Sequence, residues 1–98
     1  MGDGDVSRQT EMCFDNIERL LRDVGGTLDD LVSVTTWFID HEHLPLIQAV
    51  HAARLAGDHP PVSTSVIVAG LGDPDFLTEL TAVAVAPEER FHPPGAAG

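Results

Sequence analysis

Two serine hydroxyls lie close together in a stretch with the pattern of a strand. Ser63 and Ser65 follow the proline pair Pro60-Pro61, and β-branched residues alternate with them from Val62 to Val68. The proline pair ends a preceding helix, and the alternation predicts a strand that carries both hydroxyls on one face. Because a hydroxyl both donates and accepts hydrogen bonds, the pair suits a small-molecule pocket. We expect Ser63 and Ser65 to bind a ligand.

Other reactive side chains give weaker indications. A nucleophilic serine needs a neighbouring base, and the sequence has no G-x-S-x-G turn. Glu79 lies inside the last apolar segment, where it occupies either a wet face of a strand or a functional position. Cys13 lies in the apolar stripe of a helix, which favours a packed thiol over a reactive one. The remaining candidates are four histidines, at positions 41, 43, 51 and 59. Their spacing matches no known metal motif, so we expect no metal.

Composition excludes several classes of function. Sixteen acidic and five basic residues give a formal charge of −11, which argues against binding to nucleic acids or anionic membranes. All five basic residues are arginines, so a Schiff-base lysine is excluded, and no tyrosine is present. The sequence contains no apolar run long enough for a bilayer and no secretory signal, so we expect a cytoplasmic protein.

The apolar periodicity predicts one α+β domain over residues 1–87 and a disordered tail over residues 88–98. The predicted order is helix, strand, helix, strand, strand, at about 6–24, 31–39, 45–56, 62–69 and 77–86. A strand-helix-strand unit implies a parallel right-handed crossover, and the short last connection suggests an antiparallel hairpin. Together these features predict a mixed sheet with two helices on one face.

Six segments in a fixed order carry a family resemblance: Gln9–Leu21, Gly26–Val32, Val34–Phe38, His59–Pro61, Val66–Leu71 and Glu79–Val85. No single segment is specific, but their order and spacing are specific together. The sequence resembles the Rid family of reactive-intermediate deaminases, also called YjgF. The resemblance implies an α+β fold of the Rid or chorismate-mutase-like type and a homotrimer with ligand clefts between subunits. It further implies hydrolysis of enamines and imines, such as 2-aminoacrylate and its imine, to keto acids and ammonia without a cofactor.

The resemblance also assigns roles to positions. In the family, a strand arginine binds the substrate carboxylate and a glutamate of the last strand helps to place water. Ser63 stands at the arginine position and Thr81 at that glutamate position, while Glu79 matches another acidic position. The resemblance therefore implies catalytic positions at Glu79 and Thr81, and ligand-binding positions at Ser63, Gln48 and His51, beside the Ser65 hydroxyl that the strand pattern indicates. Because the sequence begins at the first helix, we also expect the sheet to lack the family's opening strands.

Three hypotheses follow from this combination. The first is a Rid-like imine or enamine hydrolase with altered substrate preference, since a neutral serine cannot form the charged, two-pronged contact that arginine makes with a carboxylate. The second is a non-catalytic ligand-binding or regulatory oligomer. The third is a shortened gene product that is stable only through unusual oligomerisation.

Overall fold

The computed structural model describes residues 5–93. Helix α1 spans Val6–Asp23, and the side chain of Asp5 caps it by accepting a hydrogen bond from the Arg8 amide at 3.1 Å. The helix ends before Gly25, whose φ of 86° is readily adopted only by glycine. The prediction of a helix over residues 6–24 is confirmed to within one residue.

The remaining elements follow in the predicted order. A 3₁₀ turn over Leu28–Asp30 leads into the strand, and the Thr27 side chain caps this turn. The elements after it are β1 (Leu31–Phe38), α2 (Leu44–Arg54), β2 (Val62–Ile67) and β3 (Thr78–Ala84). Pro45 lies in the first turn of α2, where its missing amide hydrogen costs nothing. None of the helices within residues 5–93 is both long and apolar enough to cross a membrane.

The three strands form a mixed sheet in the order β2-β1-β3. Strand β2 pairs with β1 in parallel, as predicted, and β3 pairs with β1 antiparallel. The prediction of a β2–β3 hairpin was wrong, because Ile67 of β2 and Thr78 of β3 pair with opposite sides of the same residue, Phe38. The connection between them therefore passes across the end of β1 instead of turning tightly.

Both helices cover one face of the sheet, as predicted. Val6, Phe38 and Ile47 form a buried cluster that joins α1, β1 and α2, and Leu44 and Leu77 pack against it. The opposite face, which we call the open face, has no covering element among the described residues. It exposes large apolar side chains, including Val62 (71% exposed), Val83 (52%) and Val85 (65%).

The helices are also joined by a partly buried cation. Arg54 of α2 forms ion pairs with three carboxylates of α1: Glu11 at 2.8 Å, Asp15 at 3.0 Å and Glu18 at 3.8 Å. Its guanidinium lies 5.5 Å from the ring centre of Phe14. These contacts use the donors of Arg54 within the helical layer, so this arginine cannot serve as a ligand clamp at Ser63.

The start of the predicted tail makes specific contacts with the domain. The Arg90 guanidinium bonds both carboxylate oxygens of Asp30, at 2.8 and 3.1 Å, and the His92 amide donates to the Val24 carbonyl at 3.1 Å. Residues 94–98 of the predicted disordered tail lie outside the described residues.

Candidate functional site

Strand register determines which candidate residues share a face. Ser63 pairs with Val34, and Ser65 pairs with Thr36, on the face that carries the helices. On the other side of β1, Thr81 pairs with Thr35 and Glu79 pairs with Trp37. Because directly paired residues point to the same side of a sheet, Glu79 and Thr81 lie on the open face. Ser63 and Thr81 are therefore separated both by β1 and by the thickness of the sheet.

The helix-side candidates include one hydrogen-bonded pair. The His51 Nε2 atom and the Thr36 Oγ1 atom are 2.9 Å apart, and Ser65 occupies the position beside Thr36 on the neighbouring strand. His51 also contacts the edge of Phe14, with ring centres 5.2 Å apart. Gln48 lies exposed on α2. This face therefore offers a hydroxyl at Ser65 next to a fixed imidazole.

Burial lowers the pKa of His51 below its ordinary value. The folded chain then binds fewer protons at this site than the unfolded chain, so stability should decline as the pH falls through about 6.5. We predict that His51→Gln flattens the fall in the free energy of unfolding between pH 7.5 and pH 5.5, relative to the unmodified chain. Urea titrations at each pH measure this free energy of unfolding. His41→Gln, at an exposed position, is the control and should keep the original slope; an unchanged slope in His51→Gln would contradict the assignment.

The open-face candidates are organised by a tryptophan that the sequence analysis did not single out. The Trp37 indole N–H donates to the Thr81 hydroxyl oxygen at 3.1 Å, and Glu79 is the direct cross-strand neighbour of Trp37. This bond orients the Thr81 oxygen and leaves its hydrogen able to donate elsewhere. Glu79, exposed two residues away on the same face, offers a carboxylate acceptor. The open face therefore carries a hydroxyl and a carboxylate two residues apart on one strand.

Cys13 lies on the other side of β3 from this pair. Burial raises the pKa of its thiol, the Glu79 carboxylate raises it further, and a hydrogen bond with the Leu80 backbone opposes both. A thiol with a raised pKa is a poor nucleophile at neutral pH. The geometry agrees with a packing role for Cys13.

A cleft of about 330 Å³ opens where β2 begins. We call it the proline cleft. Its lining residues are Asp29–Val32, His59–Val62 and Val85. Ser63 follows Val62 in the sequence but is not among the lining residues, and it points to the helix side of the sheet. No arginine lines this cleft, and the described residues hold no group of three or more histidine, cysteine or acidic side chains that could bind a metal ion.

Comparisons with known proteins place this fold. A family model described as endoribonuclease L-PSP matches residues 1–86. The chain belongs to the YjgF/Rid family. A RutC family protein of Pyrococcus abyssi is 31% identical over 81 residues, which are 83% of this chain and 62% of that protein. The chain thus spans less than two thirds of the length of this curated YjgF/Rid relative.

Solved structures give the same result for the fold. Rv2704 of Mycobacterium tuberculosis, described as a member of the YjgF/YER057c/UK114 family, superposes with a TM-score of 0.82 at 31% identity, over 88% of this chain and 71% of that one. Yeast Mmf1 superposes with a TM-score of 0.78 at 26% identity, over 86% of this chain and 66% of that one. The α+β YjgF/Rid fold predicted from the sequence is therefore confirmed.

Proposed function

We propose that this chain is a Rid-type hydrolase of imines or enamines whose site forms between copies of the chain. The observation that carries this proposal is the separation of the candidate residues. The hydroxyls of Ser63 and Ser65 lie on the helix side of an edge strand, whereas Glu79 and Thr81 lie on the open face. One protomer cannot bring both sets around one small molecule. Two copies can do so if the open face of one meets the β2 edge of the other.

The reaction needs no cofactor. Water adds to the imine carbon and its protons pass to nitrogen, so that R₂C=NH and H₂O give R₂C=O and NH₃. Glu79 and the Thr81 hydroxyl hold the attacking water, and Ser63 and Ser65, together with Gln48 and His51, hydrogen-bond the substrate. A cytoplasmic location completes the proposal.

The proposed substrate preference follows from the missing clamp. Arg54 and Arg90 are engaged in ion pairs, and the Ser63 side chain carries no charge. A site between subunits that offers the hydroxyls of Ser63 and Ser65 favours an imine without a carboxylate over one derived from an amino acid. RNA is a poor match despite the description of the family model, because the formal charge of −11 opposes phosphate binding.

The proposal is tested by ammonia release above the spontaneous rate, from an enzymatically generated simple imine and from the imine of 2-aminoacrylate. We expect acceleration of the simple imine and loss of that acceleration in Glu79→Gln. Glu42→Gln, at an exposed position of the 3₁₀ turn His41–His43, is the matched control and should stay active. A folded oligomer that accelerates neither substrate would favour the non-catalytic ligand-binding or regulatory oligomer.

The open face supplies a separate prediction about assembly. Val83 is 52% exposed in the middle of its apolar surface, and a homotrimer buries such a face. We expect light scattering to give the mass of a trimer for the unmodified chain and of a monomer for Val83→Glu, since an unpaired carboxylate is costly to bury. Leu46→Glu, at a similarly exposed position on α2, should remain trimeric. An unmodified chain that is monomeric would contradict both the assembly and the shared site.

A further inference from the structure

The segment after β3 returns across the domain and binds where α1 gives way to β1. We call residues 87–92 the C-terminal strap. Its anchor is Arg90, which bonds both carboxylate oxygens of Asp30 and also donates to the Gly25 carbonyl at 3.1 Å. The strap is itself folded, because the amides of Arg90 and Phe91 donate to the Pro87 carbonyl at 2.9 and 3.0 Å. An arginine with three acceptors on two segments is a specific attachment.

The surface beneath the strap is shaped for it. A Cβ atom on Gly25 would lie 1.9 Å from the Arg90 carbonyl oxygen, so the strap backbone occupies the space that any other side chain would fill. The φ of 86° at Gly25 also disfavours other residues. The Arg90 guanidinium, and after it the Thr27 amide, hold the pKa of Asp30 below its usual range, so this carboxylate stays charged for its partner at neutral pH. Close packing and charge thus act at the same attachment point.

Behind this attachment lies the proline cleft. Asp30 lines the cleft with its neighbour Asp29, and its carbonyl accepts a hydrogen bond from the Val85 amide at 2.9 Å. Asp29 extends the contact to the opposite wall, because its Oδ1 atom lies only 2.6 Å from the position that a Cβ atom on Gly57 would take. The chain leaving Gly57 forms that opposite wall, His59–Val62. A continuous set of contacts therefore runs from the strap through the 3₁₀ turn to both walls of the cleft.

We propose that the C-terminal strap, anchored by Arg90, holds the two walls of the proline cleft together and so controls access to it. Arg90 is a positioning residue, since it contacts the Asp29-Asp30 wall from outside the cleft. Release of the strap frees the 3₁₀ turn and opens the cleft. The strap's importance for catalysis rests on the proposed function, since the cleft wall ends at Val62, directly before Ser63, but its control of the cleft walls does not.

Hydrogen–deuterium exchange of the full chain without substrate tests the proposal directly. We expect Arg90→Gln to raise amide exchange about fivefold in peptides covering residues 26–32 and 57–63, because the local opening equilibrium loses a charge-assisted anchor. Exchange in the middle of α1 should not change. Arg19→Gln, at an exposed arginine of α1, is the matched control and should change neither cleft peptide. Faster exchange confined to residues 86–93 would overturn the proposal.

A kinetic measurement separates positioning from general destabilisation. With the simple imine, Arg90→Gln should raise KM several-fold at unchanged kcat, because the walls lose their spacing while Glu79 and Thr81 keep theirs. Arg90→Lys should resemble Arg90→Gln, since an ammonium cannot bond both oxygens of Asp30 in the same way. An equal loss in kcat would overturn the positioning role. If the unmodified chain hydrolyses no imine, the proposed function fails, while the exchange result still decides whether the strap holds the cleft.

Discussion

Ser63→Arg is expected to raise kcat/KM for the imine of 2-aminoacrylate by about two orders of magnitude. The substituted guanidinium can form a two-pronged hydrogen bond with the substrate carboxylate, a contact worth about 3 kcal/mol, or roughly a hundredfold at ~1.4 kcal/mol per decade. Ser63 is exposed on the edge strand β2, so the longer side chain has room. Initial rates of ammonia or keto-acid release measure the effect.

The matched control is Ser65→Arg. Ser65 is exposed on the same strand and the same face, so the substituted arginine adds the same charge two residues further along β2. We expect little gain from it, because a guanidinium displaced by about 7 Å cannot meet the same carboxylate. Equal gains from both variants would show that the added positive charge attracts the substrate in general and that no specific contact forms at position 63. No gain in folded, oligomeric Ser63→Arg would contradict the view that the proposed site between subunits lacks only an arginine to bind the substrate carboxylate.

The second large effect concerns stability. Gln9 is fully buried on α1, where its side-chain amide donates to the Asp75 carbonyl at 3.0 Å and its oxygen accepts from the Leu77 amide at 2.7 Å. Gln9→Met keeps the length of the side chain but removes both hydrogen bonds from a partly buried site, at a cost of about 2–4 kcal/mol. For a domain of this size that is a large share of a total of about 5–15 kcal/mol.

Urea denaturation measures this loss as a lower midpoint at an unchanged slope. Gln48→Met makes the same chemical change at an exposed position of α2 and should alter stability little. The loss should also affect function, because the segment that Gln9 holds leads directly into β3, which carries Glu79 and Thr81. A Gln9→Met variant as stable as the unmodified chain would show that the loop does not depend on this amide.

The sequence pattern predicted the elements well and their pairing less well. Periodicity located α1 and β1 to within one residue, because their apolar spacing follows directly from burial on one side. It gave no information on which strand pairs with β3, since that pairing depends on how the connection before Thr78 crosses the end of β1. Gln9 did carry a signal: it lies three residues after Val6, on the buried stripe of α1, where a polar residue implies buried partners.

The candidate site shows the same division. Alternation along β2 correctly placed Ser63 and Ser65 together, because it depends on one strand only. The separation of these hydroxyls from Thr81 depends on the register between strands, and so does the bond between Trp37 and Thr81. The strap was beyond prediction for a related reason: Arg90 and Asp30 lie far apart in sequence, and composition alone favoured a disordered tail.

The shared site between copies is tested most directly by mixing two inactive variants. Ser63→Trp blocks the helix-side half of the site, and Glu79→Gln disables the open-face half. In oligomers assembled together from equal amounts of both, about a quarter of the sites receive an intact half from each of two subunits. We predict that imine hydrolysis recovers to about a quarter of the unmodified rate in this mixture. A mixture no more active than the two variants measured separately would contradict a site shared between copies.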